Sequence, residues 1–280
     1  MKKESHSLVS VILCNYNYGQ YIGEAINSVL SQTHENVELV IVDDGSTDNS
    51  RDIIAAYTDV RIKKIFQDNS GQAAAFNAGY ERCSGEFIAF LDSDDYWCNN
   101  KLFEVLKQFK DEDVCMVQHH LNVVDKEGRD VGRLQHRIKP GLSNVLNRFL
   151  KKNHTGFFVA TSGIVCRKKA LDEIFPLGMD WKICADVAFT RPLPLFGKIY
   201  TMPETLGCYR VHGENNWVNT EQQGKWLVNQ KKYVNYTNHW LKQYGFQRQI
   251  VFEKSLVYKE FVLKNKIPGL RTALNFLFDK

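Results

Sequence analysis

Short apolar runs alternate with amphipathic stretches through the first half of the chain, and two of the runs end in clustered aspartates. Residues 8–14 (LVSVILC), 37–42 (VELVIV), 61–66, 86–91 (EFIAFL) and 114–119 read as strands of buried character. Between them, residues 21–30 place Ile22, Ala25, Ile26, Val29 and Leu30 on one helical face, and residues 49–57, 73–83 and 101–109 continue the helical spacing. Alternation of this kind predicts an α/β fold with a mostly parallel central sheet flanked by helices. Right-handed crossovers would bring the C-terminal strand ends to one edge, where open sheets of this type bind ligands.

The pattern weakens over residues 128–152, which read as a variable loop and one helix. Residues 162–166 read as a strand, 184–196 as a helix entered at Asp186, and 198–202 and 206–211 as two more strands. From residue 217 the chain is basic, aromatic and helical, broken at Gly245 and at Pro268-Gly269. Two domains are expected: residues 1–216 as the α/β body and 217–280 as a helical C-terminal extension.

Charge supports the division. Residues 1–216 carry 25 Lys/Arg against 28 Asp/Glu, a net of −3, whereas residues 217–280 carry 11 against 4, a net of +7. The tail interleaves Trp226, Tyr233, Tyr236, Trp240, Phe246 and Phe252 with lysines, which makes it a candidate for peripheral contact with an anionic membrane. A simpler reading packs these helices on the α/β body or on a second subunit, as a homodimer. No nucleic-acid recognition motif accompanies the charge. The seven cysteines are scattered, without metal-ligand spacing, and read as reduced thiols. With no apolar run near 18 residues and a poor secretion signal at the start, the expected location is cytoplasmic, at most peripheral to the inner face of the membrane.

The carboxylates bear the chemistry. Asp43 and Asp44 close one strand, and Asp92, Asp94 and Asp95 close another. In a parallel sheet both groups reach the ligand edge, where crowded carboxylates oppose one another's ionisation unless a cation lies between them. Mg²⁺ is typically held by one or two carboxylates together with substrate phosphates, so the pattern points to a metal–diphosphate site. Each cluster alone also reads as an acidic turn, with Gly45 at positive φ and Asp48 capping the next helix. Their joint occurrence, with no Walker-type glycine loop, favours the site.

The segments VSVILCNYNYGQYIGEAINSVLSQTHENVELVIVDDGSTDNS, NSGQAAAFNAG and GEFIAFLDSDDYW together resemble a family 2 glycosyltransferase, and the likeness extends from about residue 8 to 216. The resemblance implies the A-type nucleotide-diphospho-sugar transferase fold, a Rossmann-like arrangement, and a nucleotide-diphospho-sugar donor. It places Tyr16 against the base, Asp44 as the acceptor of a hydrogen bond from the base (which suits uracil or thymine), and Asp92 near the ribose. Asp94 would carry a divalent metal, Mn²⁺ or Mg²⁺, with His212 completing the metal–diphosphate site. Asp186, in KICADV, matches the catalytic base of inverting members. Asp186 also reads as a helix N-cap, and Asp180 is the alternative base. Ser162 and Trp181 are candidates for an acceptor wall, although Trp181 reads at least as readily as a buried tryptophan. Arg210 is left open, for phosphate or for a sheet-edge acid. The sequence departs from the common family pattern at Cys14-Asn15 and at Ala75-Phe76-Asn77, where an arginine often precedes the asparagine.

The implied reaction moves a sugar to a hydroxyl of a saccharide or lipid-linked saccharide, with inversion, in surface-polysaccharide assembly. Loop 212–217 could close over the donor and keep water out. A nucleotidyltransferase would need a glycine-rich basic loop after the first strand, which CNYNYG does not provide. A catalytically silent sugar- or nucleotide-binding module would bind donor without turnover.

Overall fold

The structure, a computed structural model, describes residues 7–153, 155–213, 215, 223–255, 258, 259 and 262. In chain order its main elements are β1 (Val9–Asn15), α1 (Gly19–Leu30), β2 (Val37–Asp44), α2 (Ser50–Ala56), β3 (Ile62–Gln67), α3 (Gln72–Glu81), β4 (Phe87–Asp92), β5 (Tyr96–Trp97), α4 (Lys101–Leu106) and β6 (Val114–Val124). There follow β7 (Asp130–Leu134), β8 (Gly141–Ser143), α5 (Val145–Lys152), β9 (Ile164–Arg167), α6 (Lys168–Leu171), α7 (Asp186–Thr190), β10 (Lys198–Arg210) and α8 (Gln223–Gln243). The chain divides into two compact units, residues 1–144 with 157–219 and residues 145–156 with 220–280.

The first unit holds a ten-stranded sheet in the order β3-β2-β1-β4-β9-β6-β10-β5, with β7 paired to β6 and β8 to β10. The pairs β3–β2, β2–β1, β1–β4 and β6–β10 are parallel, as the alternation predicts, whereas β5 and β8 run antiparallel to β10 and β7 antiparallel to β6, so the sheet is mixed. β9 is antiparallel to both β4 and β6, so it brings its own N-terminal end to the edge where β4 ends. Strand side chains alternate between faces. Val9, Val11 and Leu13 of β1 share one apolar cluster with Ile22, Ala25, Ile26 and Val29 of α1, the face expected from their spacing. Ile12 and Val42 face the other way, toward α3, where a Cβ on Gly79 would come within 2.8 Å of Ile12 Cγ2. Phe76 of α3, Phe90 of β4 and Phe189 of α7 form a ring cluster on that second face, with centroids 4.4–5.8 Å apart.

Three expectations need correction. The helix expected over 184–196 is a short helix, α7, and a separate 3-10 turn over Leu193–Leu195; Pro192 and Pro194 lack the N–H groups a continuous helix needs. The two strands expected over 198–202 and 206–211 are one 13-residue strand, β10. Its pairing with β6 shifts register between Thr201 and Thr205, a bulge that accommodates the exposed Pro203-Glu204. Residues 128–152 contain two short strands, β7 and β8, besides the expected helix. β7 is largely exposed, so it carries little apolar alternation.

In the second unit, Tyr233, Val234, Thr237 and Leu241 are the buried positions among the described side chains of α8, and Val145 and Phe149 those of α5. Asn238 holds both the N–H and the carbonyl of Ile250 at 2.8 Å. Trp240 meets Tyr236 edge-to-face at 6.4 Å and stacks on Tyr244, just past the end of α8, at 5.9 Å. The Trp226 side chain, Pro268-Gly269, and residues 214, 216 and 217 of the expected lid lie outside the described residues. Among the described residues no helix is long and apolar enough to cross a membrane.

Candidate active site

Strand register brings the acids together. Cys14 of β1 lies beside Val42 on one flank and beside Asp92 on the other, so Asp44 and Asp92 end strands two places apart on one edge, roughly 10 Å at ordinary strand spacing. The period of two then sorts their faces. Cys14, Asp44 and Asp92 follow Ile12, Val42 and Phe90 onto the α3–α7 face, whereas Asn15 and Asp43 follow Leu13 and Ile41 onto the α1 face. Burial raises the Cys14 thiol well above its ordinary pKa, and the Asp92 and Asp44 carboxylates push it further.

Asp43 is a structural acid. Its carboxylate accepts from Asn15 Nδ2 at 2.9 Å, from the Ser46 N–H at 3.0 Å and from Arg51 Nε at 2.9 Å. Burial opposes its ionisation, but hydrogen bonds from Ser46, Arg51 and Asn15 outweigh that and hold its pKa low. Asp44 instead faces the loop before α3, accepting from Gln67 Nε2 at 2.6 Å and from the N–H groups of Ser70 and Gly71 at 2.8 Å each. Gly45, at φ +81°, lets this turn approach Asn69, whose nitrogen would be 2.5 Å from a Cβ. Asp48 accepts from the Gly19 and Ser50 N–H groups, so the acidic-turn reading also applies within the same motif. Tyr16 follows β1 with 46% of its surface exposed, an open aromatic ring next to this turn.

The second cluster divides similarly. Asp95 Oδ2 accepts from Ser162 Oγ at 2.6 Å and Oδ1 from the Arg210 N–H at 2.9 Å. Asp94 Oδ2 meets His212 Nε2 at 3.0 Å and Asn215 Nδ2 at 3.2 Å. The His212 ring packs between Tyr18 and Tyr21, with centroids 5.2 and 5.0 Å away. Asp186 opens α7, three residues before Phe189, whose ring stacks on Phe90. Because Asp92 is two residues beyond Phe90, both acids extend from the same packed pair toward the edge. Burial raises the pKa of Asp92, and Asp94 and Asp186 raise it further. Asp95 is raised by burial, then by Asp94 and Asp92; Asp186 is raised by burial. Asp180, the alternative base, is exposed.

Among the described residues, no group of three His, Cys, Asp or Glu side chains could hold a metal unaided. The Asp94–His212 pair offers one carboxylate and one imidazole amid further negative charge. That donor set suits a divalent ion whose remaining ligands come from a diphosphate.

Residues 10–175 match the model of glycosyl transferase family 2. An uncharacterized glycosyltransferase of Nostoc sp. is 38% identical over 260 residues, covering 90% of this chain and 81% of that protein. The chain belongs to glycosyl transferase family 2. The Escherichia coli UDP-Glc:alpha-D-GlcNAc-diphosphoundecaprenol beta-1,3-glucosyltransferase WfgD is 47% identical over 96 residues, 34% of this chain and 38% of that enzyme. In fold, the chain resembles S. aureus TarS 1-349 in complex with UDP-GlcNAc, with a TM-score of 0.65 and 20% identity over 91% of this chain and 71% of that one. It also resembles the mannosyltransferase PcManGT of Pyrobaculum calidifontis in complex with GDP-Man and Mn²⁺, with a TM-score of 0.57 and 17% identity over 85% and 65% of the two chains.

In this glycosyltransferase the two acceptor-wall candidates are buried. Trp181 is 3% exposed, which leaves almost no ring face for a sugar. Ser162 is fully buried: its hydroxyl donates to Asp95 and accepts from the Asp92 N–H at 3.1 Å, and its carbonyl accepts from Trp97 Nε1 at 2.8 Å. It props the acidic loop from the 3-10 turn Thr161–Gly163 that leads into antiparallel β9, an arrangement that local sequence does not reveal. Ser162→Ala should strand both partners and cost on the order of 1–3 kcal/mol of stability, measured by urea unfolding. An unchanged midpoint would remove the prop.

Arg210 is likewise occupied within the protein. Its Nε donates to the Asp94 carbonyl at 2.9 Å, its guanidinium binds Glu24 and the Lys126 carbonyl, and it lies over the Tyr21 and Tyr96 rings. Its acidic partners are Glu24, on α1, and the Asp95 carboxylate at the sheet edge, which accepts the Arg210 N–H at 2.9 Å. Phe76, which replaces the family's common arginine, packs in the ring cluster beneath the edge.

Proposed function

We propose that this glycosyltransferase moves a sugar from a uridine or thymidine diphosphate donor to a hydroxyl of a saccharide or lipid-linked saccharide, with inversion, in surface-polysaccharide assembly. The observation that carries the reading is the meeting of Asp44, Asp92, Asp94, Asp186 and His212 along one sheet edge. Tyr16 stacks on the base, Asp44 accepts its N–H, and Asp92 faces the ribose. Asp94 and His212 would hold Mn²⁺ or Mg²⁺ together with the diphosphate. A divalent ion held there would supply Lewis-acid stabilisation of the charge that develops on the departing diphosphate. Asp186 takes the proton of the acceptor hydroxyl as that oxygen attacks from the opposite side. One displacement with a base on the far side inverts the anomeric centre. Support comes from the donors in the TarS and PcManGT complexes, UDP-GlcNAc and GDP-Man with Mn²⁺, and from the lipid-linked acceptor in the name of WfgD.

The same reading takes residues 1–216 as the catalytic domain, in the cytoplasm, and residues 217–280 as an extension that meets the anionic inner face of the membrane or a second subunit. Truncating that extension should reduce transfer to lipid-linked acceptors more than to soluble ones; equal loss on both would remove the membrane role.

A thermal-shift screen of nucleoside diphosphates with and without Mn²⁺ tests the donor and metal together, because a ligand of the native state raises the melting temperature. Uridine or thymidine diphosphate should stabilise the protein only with metal. A larger metal-dependent shift with GDP would overturn the base assignment. Tyr16→Ala should raise the donor KM about tenfold, the scale of one lost base–aromatic stack, with kcat nearly unchanged. An unaltered KM would take Tyr16 out of the nucleotide site.

A further inference from the structure

The loop before α3 lies between the two halves of the site, and its contacts run in both directions. On one side Asp44 accepts the Ser70 and Gly71 N–H groups, and Gly45 packs against the Asn69 backbone. On the other side the loop and the start of α3 hold the segment leading to Asp186. Gln72 and Ala73 donate their N–H groups to the carbonyls of Lys182 and Trp181 at 3.0 and 3.1 Å, and Lys182 Nζ donates to the Ser70 carbonyl at 2.6 Å. Gly71, at φ +91°, fits so closely that a Cβ would come within 3.0 Å of Lys182 Cα. One turn further along α3, Asn77 binds both the carbonyl and the N–H of Leu177.

One side-chain contact reaches the residue next to the base. Gln72 Oε1 accepts the Ala185 N–H at 2.8 Å. The preceding residue, Cys184, has φ +52°, a left-handed conformation that a non-glycine residue keeps only where its surroundings impose it. The turn thus aims the Ala185 N–H at Gln72 and starts α7 at Asp186.

We propose that Gln72 is a positioning residue for Asp186. Its side-chain carbonyl fixes the Ala185 amide and so sets where the Asp186 carboxylate sits, and through Ser70 and Gly71 it joins the Asp44 side of the donor site to the base. The inference rests on Asp186 being the base.

Gln72→Met keeps the length of the side chain and removes its acceptor oxygen; Gln72→Glu keeps the oxygen. Displacement of a reacting group by about 1 Å can cost 10²-fold in rate. Gln72→Met and Gln72→Ala should therefore lower kcat for transfer about 10- to 100-fold, while donor affinity, read by nucleotide thermal shift, stays within about twofold. Gln72→Glu should recover most of kcat, and amide exchange at Ala185 should be faster in Gln72→Met than in Gln72→Glu. Wild-type kcat in Gln72→Met, no recovery in Gln72→Glu, donor affinity falling in step with kcat, or loss of the fold in both Met and Ala variants would each overturn the proposal. Asp186→Asn, assayed beside them, separates the two readings. Full transfer by Asp186→Asn removes the base itself, whereas a dead Asp186→Asn beside an unimpaired Gln72→Met removes only the positioning role.

Discussion

Asp186→Asn should lower kcat for transfer by about 10²–10⁴, the usual contribution of a positioned base, while donor affinity stays as in the native chain. The amide has nearly the size of the carboxylate, and since the N-cap of α7 is Ala185, with no side-chain cap bond, rather than Asp186 as the helix-cap reading had it, no cap is lost; but the amide cannot take the acceptor proton. Burial raises the Asp186 carboxyl above its ordinary pKa. Since the base works only when ionised, kcat should fall with decreasing pH through a value above the ordinary aspartate range near 4. The sign for stability is opposite. A raised folded-state pKa means the native chain holds the proton more tightly than the unfolded chain, so ionisation destabilises it as pH rises from the unfolded to the folded value. Asp186→Asn removes that penalty and should melt no lower than the native chain at pH 7, which separates lost chemistry from lost folding. Asp180→Asn should leave kcat within about twofold, as its exposed position removes it from the general-base contribution. The reverse result, full turnover in Asp186→Asn and loss in Asp180→Asn, would transfer the role to Asp180.

The strands that carry the acids were legible because their apolar runs are continuous and local. The same is true of α1, whose Ile22, Ala25, Ile26 and Val29 share the buried face their spacing implies. Adjacent Asp43 and Asp44 must point to opposite faces of the sheet, but nothing local says which face carries α3, so the structural acid and the site acid are distinguished only by packing. Asp94 and Asp95 likewise look alike until Ser162 and Arg210 arrive from distant parts of the chain to claim Asp95. The burial of Ser162 and Trp181 is set by packing of the same kind. A small polar residue and a large aromatic beside a catalytic motif suit a sugar, yet the turn before β9 seats the first against the end of β4 and the start of α3 holds the backbone of the second. Gln72 lies within the NSGQAAAFNAG segment, but only the fold brings its amide to Ala185.

Asp94→Ala should abolish metal-dependent donor binding and leave the fold standing. Asp94 is the carboxylate that His212 and Asn215 face, and its charge helps to raise the pKa values of Asp92 and Asp95. Removing that charge lessens repulsion among the acids of the edge, partly offsetting the two lost hydrogen bonds. Ligand-linked stabilisation, about 2.7 kcal/mol at a hundredfold excess over Kd, should disappear, and transfer should vanish with it. Asp95→Ala supplies the contrast. It leaves Ser162 Oγ and the Arg210 N–H without their carboxylate, at a cost of about 1–3 kcal/mol for each group left unpaired. Its melting temperature should therefore fall with or without Mn²⁺ and nucleotide, while the increment that these ligands add survives. If Asp94→Ala keeps that increment and Asp95→Ala loses it, the metal belongs on the neighbouring carboxylate, and Asp94 is the tie that holds the loop.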